Sequence, residues 1–172
     1  MRTWRIYLAL IALCIGTLAH AQTNYKTVVK DFELLSGSWT GSLTYLDYSS
    51  GKPYTMPADL LITRIGQTNQ FAVENLYPNE KSANATDTLV ISKDGKSIDG
   101  ALIKSRKKLP NGDLEIITEE TGTDGNDNKP ATFRQTYTFG KTTFTKRKDV
   151  QFEGESEWIK RHEYSYSRID RK

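Results

Sequence analysis

Few residues in this 172-residue sequence have the types and spacing that catalysis needs. The histidines are His20 and His162 and the one cysteine is Cys14. A Ser-His-Asp triad would have to be assembled around a single imidazole, and neither a His-rich nor a Cys-based metal site can be built. The G-x-S-x-G elbow, the phosphate-binding loop and H-E-x-x-H are absent. Carboxylates gather at Glu115, Glu119 and Glu120, but Glu115 and Glu119 alternate with Leu114, Ile116 and Thr118, which puts them on the solvated face of a strand. His162 alternates onto a face with Trp158, Tyr164 and Tyr166, a set able to pack a porphyrin; the commoner alternative is a surface or hydrogen-bonded histidine flanked by Lys160 and Arg161. Two basic runs, 104–108 and 146–148, have the charge to hold an anionic glycan or nucleic acid. At strand ends or edges, however, such charges commonly keep sheets from pairing with one another. No catalytic residue, metal ion or cofactor is therefore expected.

The start of the chain carries a different kind of information. Arg2 and Arg5 precede an apolar run over residues 8–18, and Ala19-His20-Ala21 forms an A-x-A cleavage site before Gln22. Residues 1–21 read as a secretory signal, with an apolar run shorter than the roughly 20 residues a membrane span needs. The expected product is a secreted or periplasmic chain, residues 22–172, forming one domain with no membrane span. Removing Arg2 and Arg5 from 24 basic residues leaves 22 against 21 acidic ones, a balance with no electrostatic footprint for nucleic acid. Cys14 leaves with the signal, so no disulfide scaffold follows it.

What remains must position any site. Val28, Val29, Phe32 and Leu35 recur at spacings of three and four, which predicts a short helix. After it, segments rich in Thr, Tyr, Val, Ile and Phe alternate with Gly, Asn, Asp, Pro and Lys clusters. Strands are predicted at 38–48, 54–65, 70–76, 86–92, 97–103, 114–121, 132–139, 142–148 and 157–169. The fold class is all-β, an antiparallel meander of about eight to ten strands behind a short N-terminal helix. Closure or near-closure into a barrel removes its edges, with a flat sandwich as the alternative.

Within that layout Gly37-Ser38-Trp39 stands at the start of the first strand, just after the helix. The arrangement resembles the G-x-W signature of the lipocalin and calycin group, and Trp39-Thr40-Gly41 is similar to small bacterial lipocalin-like domains of unassigned function. The likeness spans nearly the whole of 22–172 in layout but only a few residues in motif. The lipocalins' T-D-Y motif has no counterpart beyond Thr86-Asp87-Thr88. The resemblance implies that Trp39 closes the narrow end of the barrel beneath a basic side chain of the last strand, here Arg168, with Gly37 making the turn.

It also implies a container. Strand parity points Tyr45, Phe71, Phe133, Tyr137 and Tyr164 inward as candidate ligand-binding residues, which would hold a small, mainly apolar molecule. Two other readings remain open at this point: a filled barrel acting through its surface and loops, and an enzyme using Tyr, Asp or Arg at the barrel mouth.

Overall fold

Residues 25–47, 50–125 and 127–169 are described by a computed structural model; the segment read as a signal lies outside them. Helix α1 (Tyr25–Glu33) carries Val28, Val29 and Phe32 on one face, followed by Leu35, and all four are buried. Nine residues are too few for a stable isolated helix, so tertiary contacts must hold it. The Phe32 ring meets Tyr137 and Phe139 edge-on, at centroid distances of 5.4 and 5.2 Å. Burying such a ring contributes about 1.5–3 kcal/mol. Asp31 accepts two hydrogen bonds from Arg106, at 2.7 and 2.8 Å, and Glu33 pairs with Arg64 at 3.1 Å.

The strands are β1 (Gly37–Asp47), β2 (Lys52–Pro57), β3 (Asp59–Arg64), β4 (Gln70–Leu76), β5 (Ala85–Val90), β6 (Ser97–Ile98), β7 (Ala101–Lys108), β8 (Leu114–Asp124), β9 (Lys129–Phe139), β10 (Thr143–Phe152) and β11 (Ile159–Arg168). They form one antiparallel sheet in the order β5-β4-β3-β1-β11-β10-β9-β8-β7-β6, with β2 added to β1. The first and last long strands are neighbours, Trp39 opposite Arg168 and Tyr45 opposite His162. The two ends of the sheet then meet through one bridge, Ile91 to Ile98, with Asp99 N donating to Val90 O at 2.8 Å. The result is the nearly closed antiparallel barrel expected from the alternation.

Two expected strands are each broken in two. Residues 54–65 divide at Ala58, where the chain turns a corner: Ala58 N donates to Gly41 O, and Gly41 N donates back to the Asp59 carboxylate. The break lets β2 pair with the far half of β1 and β3 with its beginning. Pro53 and Pro57, which cannot donate to a ladder, fall in β2, whose one partner is β1. Residues 97–103 divide at Asp99-Gly100, and the basic run 104–108 continues as β7. Its charges are paired across to β8 and α1: Lys107 with Glu115, Lys104 with Glu119, and Arg106 with Asp31.

A further correction concerns Trp158. The register of β10 against β11 shifts at Lys148/Asp149, where Lys148 faces His162 but Asp149 faces Lys160, leaving Arg161 as the extra residue. Such a bulge reverses strand parity. Trp158 therefore does not share the inner face of His162; it lies under the Arg134 guanidinium, 3.7 Å from its ring centre, and Arg134 in turn pairs with Glu119.

Candidate functional site

Directly opposed residues of antiparallel strands share a face, so the register resolves the inner wall into rows running away from Trp39. The first row is Phe139, Phe144, Tyr166 and Gly41; the next is Ile116, Tyr137, Lys146, Tyr164 and Leu43; the third is Thr118, Gln135, Lys148, His162 and Tyr45. Composition changes along this sequence of rows from aromatic to cationic and polar. Phe144 and Tyr166 are stacked 6.0 Å apart, as are Tyr164 and Tyr166 at 5.8 Å.

A partly open cavity of about 340 Å³ lies against these rows, near the lower end of the range of ~300–1,000 Å³ common for small-molecule sites. Its floor is apolar, from Phe32, Leu35, Leu60, Ile62, Leu89 and Phe144. One wall carries Gln135, Lys146, Lys148, His162 and Tyr164; the opposite rim carries Asn75, Tyr77 and Asp87. Tyr77 and Tyr164 join their hydroxyls across the cavity at 2.9 Å. The lower half of the barrel is filled by α1 and the aromatic cluster around Phe32 and Phe71.

Burial dominates the electrostatics. It lowers the Lys146 ammonium pKa, against the opposing pull of Asp99 and Asp87. The imidazole of His162 is pushed down to about 4 by burial and then by Lys146 and Lys148, so it is neutral at physiological pH. The phenols of Tyr137, Tyr164 and Tyr166 are raised, chiefly by burial. Neither Lys146 nor Lys148 forms an ion pair among the described residues. Lys148 Nζ sits 4.2 Å from the centre of the Phe133 ring and Lys146 Nζ 5.9 Å from that of Tyr137. The Oε1 atom of Gln135 is buried without a hydrogen-bond partner. No group of three or more metal-ligating side chains occurs among the described residues.

Of the five residues expected to face a ligand, Tyr137 and Tyr164 line the cavity. Tyr45 shares the inner row of His162, but its ring packs on Tyr54 at 5.6 Å, outside the lining. Phe133 lies one row beyond Gln135, beneath Lys148. Phe71 is fully buried against Phe32 and belongs to the core. Sequence reasoning missed Lys146 and Lys148 as lining groups because it ended their strand at 148 and read the run as edge charge. In the structure β10 continues to Phe152 between β9 and β11. The alternation Phe144, Lys146, Lys148 was the available signal.

At the other end, Arg168 covers Trp39, its guanidinium carbon 4.2 Å from the ring centre. It donates to Ser36 O at 3.1 Å and to Leu34 O, while Trp39 Nε1 donates to Leu35 O at 2.8 Å. Gly37 turns the chain between helix and strand at φ +120°, a conformation side chains rarely adopt, and a Cβ there would stand 3.4 Å from Arg168 Nη1.

No protein-family model matches the chain, and no curated protein matches it. Among solved structures it is similar to the crystal structure of Rv2717c from M. tuberculosis, at 12% identity and a TM-score of 0.49, covering 83% of this chain and 97% of that one. It is also similar to a protein of unknown function from the DUF3598 family of Nostoc punctiforme, at 12% identity and a TM-score of 0.38, covering 82% of this chain and 49% of that one. Neither likeness says what occupies the cavity.

Proposed function

We propose that the protein is an exported, lipocalin-like binding protein that holds a small, mainly apolar molecule inside its barrel and catalyses no reaction. The observation that supports this most directly is the partly open cavity of about 340 Å³ with an apolar floor of Phe32, Leu60, Ile62 and Leu89. Placing an apolar group on that floor removes its surface from water at roughly 25 cal/mol per Å². The rigid, aromatic-filled lower half supplies a floor that is already ordered, so little conformational entropy is lost on binding. The export half of the proposal rests on residues 1–21 alone.

The test is native mass spectrometry on protein purified from its own host, combined with titration by the neutral fluorophore N-phenyl-1-naphthylamine. The expected result is a co-purified small molecule or a saturable rise in probe emission, lost in Leu89→Trp, which fills the floor. Absence of both a bound mass and a probe response would overturn the binding proposal. N-terminal sequencing of the secreted form, expected to begin at Gln22, tests export separately.

A further inference from the structure

We infer that the ligand carries a single anionic group, of carboxylate or phosphate type, seated between Lys146 and Lys148 with its apolar part directed to the floor. This inference rests on the binding proposal above and adds the chemistry of the ligand's head.

The rows across β9, β10 and β11 carry the argument. Lys146 and Lys148 project from alternate positions of one central strand into the same cavity, beside Gln135 on one side and Tyr164 and His162 on the other. Buried charges in proteins are ordinarily paired. Lys146 is largely withdrawn from water and Lys148 is half-buried, yet neither has an ion pair within the described residues, and the faces of Phe133 and Tyr137 lie near them. The partnerless Gln135 Oε1 stands in the same row as Lys148; turning the amide over would present its NH₂ to the cavity. In the hydroxyl pair of Tyr77 and Tyr164 one phenol donates to the other, which leaves a single O–H donor at the level of Lys146. A cavity that offers ammonium, amide and phenol donors on one wall, above the apolar side chains of Phe32, Leu60, Ile62 and Leu89, matches an amphiphile with one negative end.

The acidic groups around the site limit the charge it will take. Asp87 lies on the opposite rim and Asp99 acts on Lys146 from the β6–β7 turn, both beyond ion-pair distance. Two ammonium groups facing two more distant carboxylates favour one added negative charge over several.

Calorimetric titration of the 22–172 chain with octanoate, octyl phosphate and 1-octanol separates the outcomes. The two anions should bind about tenfold more tightly than the alcohol, the scale of one charge-assisted hydrogen bond. The Lys146→Met/Lys148→Met double variant should bring that preference close to one, and Asp87→Asn should increase it. Octanoate winning over octyl phosphate assigns a carboxylate head, the reverse a phosphate head. If 1-octanol binds as tightly as both anions, or if the double variant keeps the preference, the inference falls while the binding proposal stands. If native mass spectrometry shows no bound mass and the neutral fluorophore and all three probes fail to bind, both fall together. A circular dichroism spectrum and unfolding curve on the double variant show whether it is folded; should it not be, the single variant Lys148→Met carries the same test.

Discussion

The guanidinium carbon of Arg168 stands 4.2 Å from the centre of the Trp39 ring while its N–H groups reach the Ser36 and Leu34 carbonyls. One side chain thereby joins the last strand, the first strand and the end of the helix. Replacing Arg168 with Ala removes a cation–π contact worth about 0.5–2 kcal/mol and takes the donor from the part-buried Ser36 carbonyl. The expected loss is about 2–4 kcal/mol by urea unfolding. Arg168→Lys should recover less than half, because an ammonium lacks the planar fork.

Gly41 is the closest approach in the β1–β11 seam. A Cβ at this position would fall 2.1 Å from the Ser165 carbonyl oxygen and 2.8 Å from the Tyr166 ring. Backbone cannot retreat as a flexible side chain can, so Gly41→Ala should cost about 3 kcal/mol or more. An unfolding midpoint within the error of wild type would contradict the packing described.

Helix α1 is tied to β7 by the bidentate bond that Asp31 accepts from Arg106. Asp31 is 7% exposed, so Arg106 left facing an alanine would lose a nearly buried partner. Asp31→Ala is expected to cost about 1–3 kcal/mol, discounted because Arg106 is itself partly solvated. Hydrogen exchange should accelerate in the α1 amides before those of β9 and β10.

The imidazole of His162 titrates near pH 4 in the folded state against 6.5 in the unfolded chain. The unfolded state takes up the proton first, so this group's contribution is complete above roughly pH 6.5 and is lost as pH falls toward about 4. The loss should be on the order of 2 kcal/mol after allowance for partial solvent screening. Asp99, raised by burial, works in the opposite sense. The difference between the pH–stability curves of wild type and His162→Gln isolates the histidine, and identical curves would exclude a depressed pKa.

Lys146 gives a prediction of opposite sign. Its ammonium is desolvated without an ion pair, so the empty protein bears the cost of that charge throughout neutral pH. Lys146→Met keeps most of the apolar stem and should raise stability by about 0.5–1 kcal/mol in the absence of ligand, read as an increase in the urea midpoint.

Period-two alternation made the fold legible, since it states which face a side chain takes. It says nothing of depth along the barrel, which is why Tyr137, Tyr45 and Phe71 looked alike in sequence but stand respectively in the cavity wall, against Tyr54 and in the core. Parity also fails where a strand gains a residue. The bulge at Arg161 leaves no compositional trace, so Trp158 was assigned to the wrong face. Pro57, by contrast, marks the β2–β3 corner in the sequence, and the expected strand 54–65 runs through it. The cationic wall was hidden by a charge rule that holds at sheet edges: Lys146 and Lys148 sit on a strand paired on both sides. The contact of Arg168 with Trp39 was legible only through the resemblance of Gly37-Ser38-Trp39, standing between a helix and a first strand, to the G-x-W signature.

The seam between β1 and β11 has a consequence in time as well as in space. The hydrogen bond from Arg168 to Ser36 spans 132 positions, and loop closure over such a distance must be met before the contact returns anything. A growing chain can assemble its hairpins in order, β1 with β2 and β3 included, but the free edge of β1 waits for the last strand to be made. Folding should therefore be slow and limited by docking of the C-terminal strand, and a chain shortened by its last ten residues would have nearly all its walls and no way to complete them.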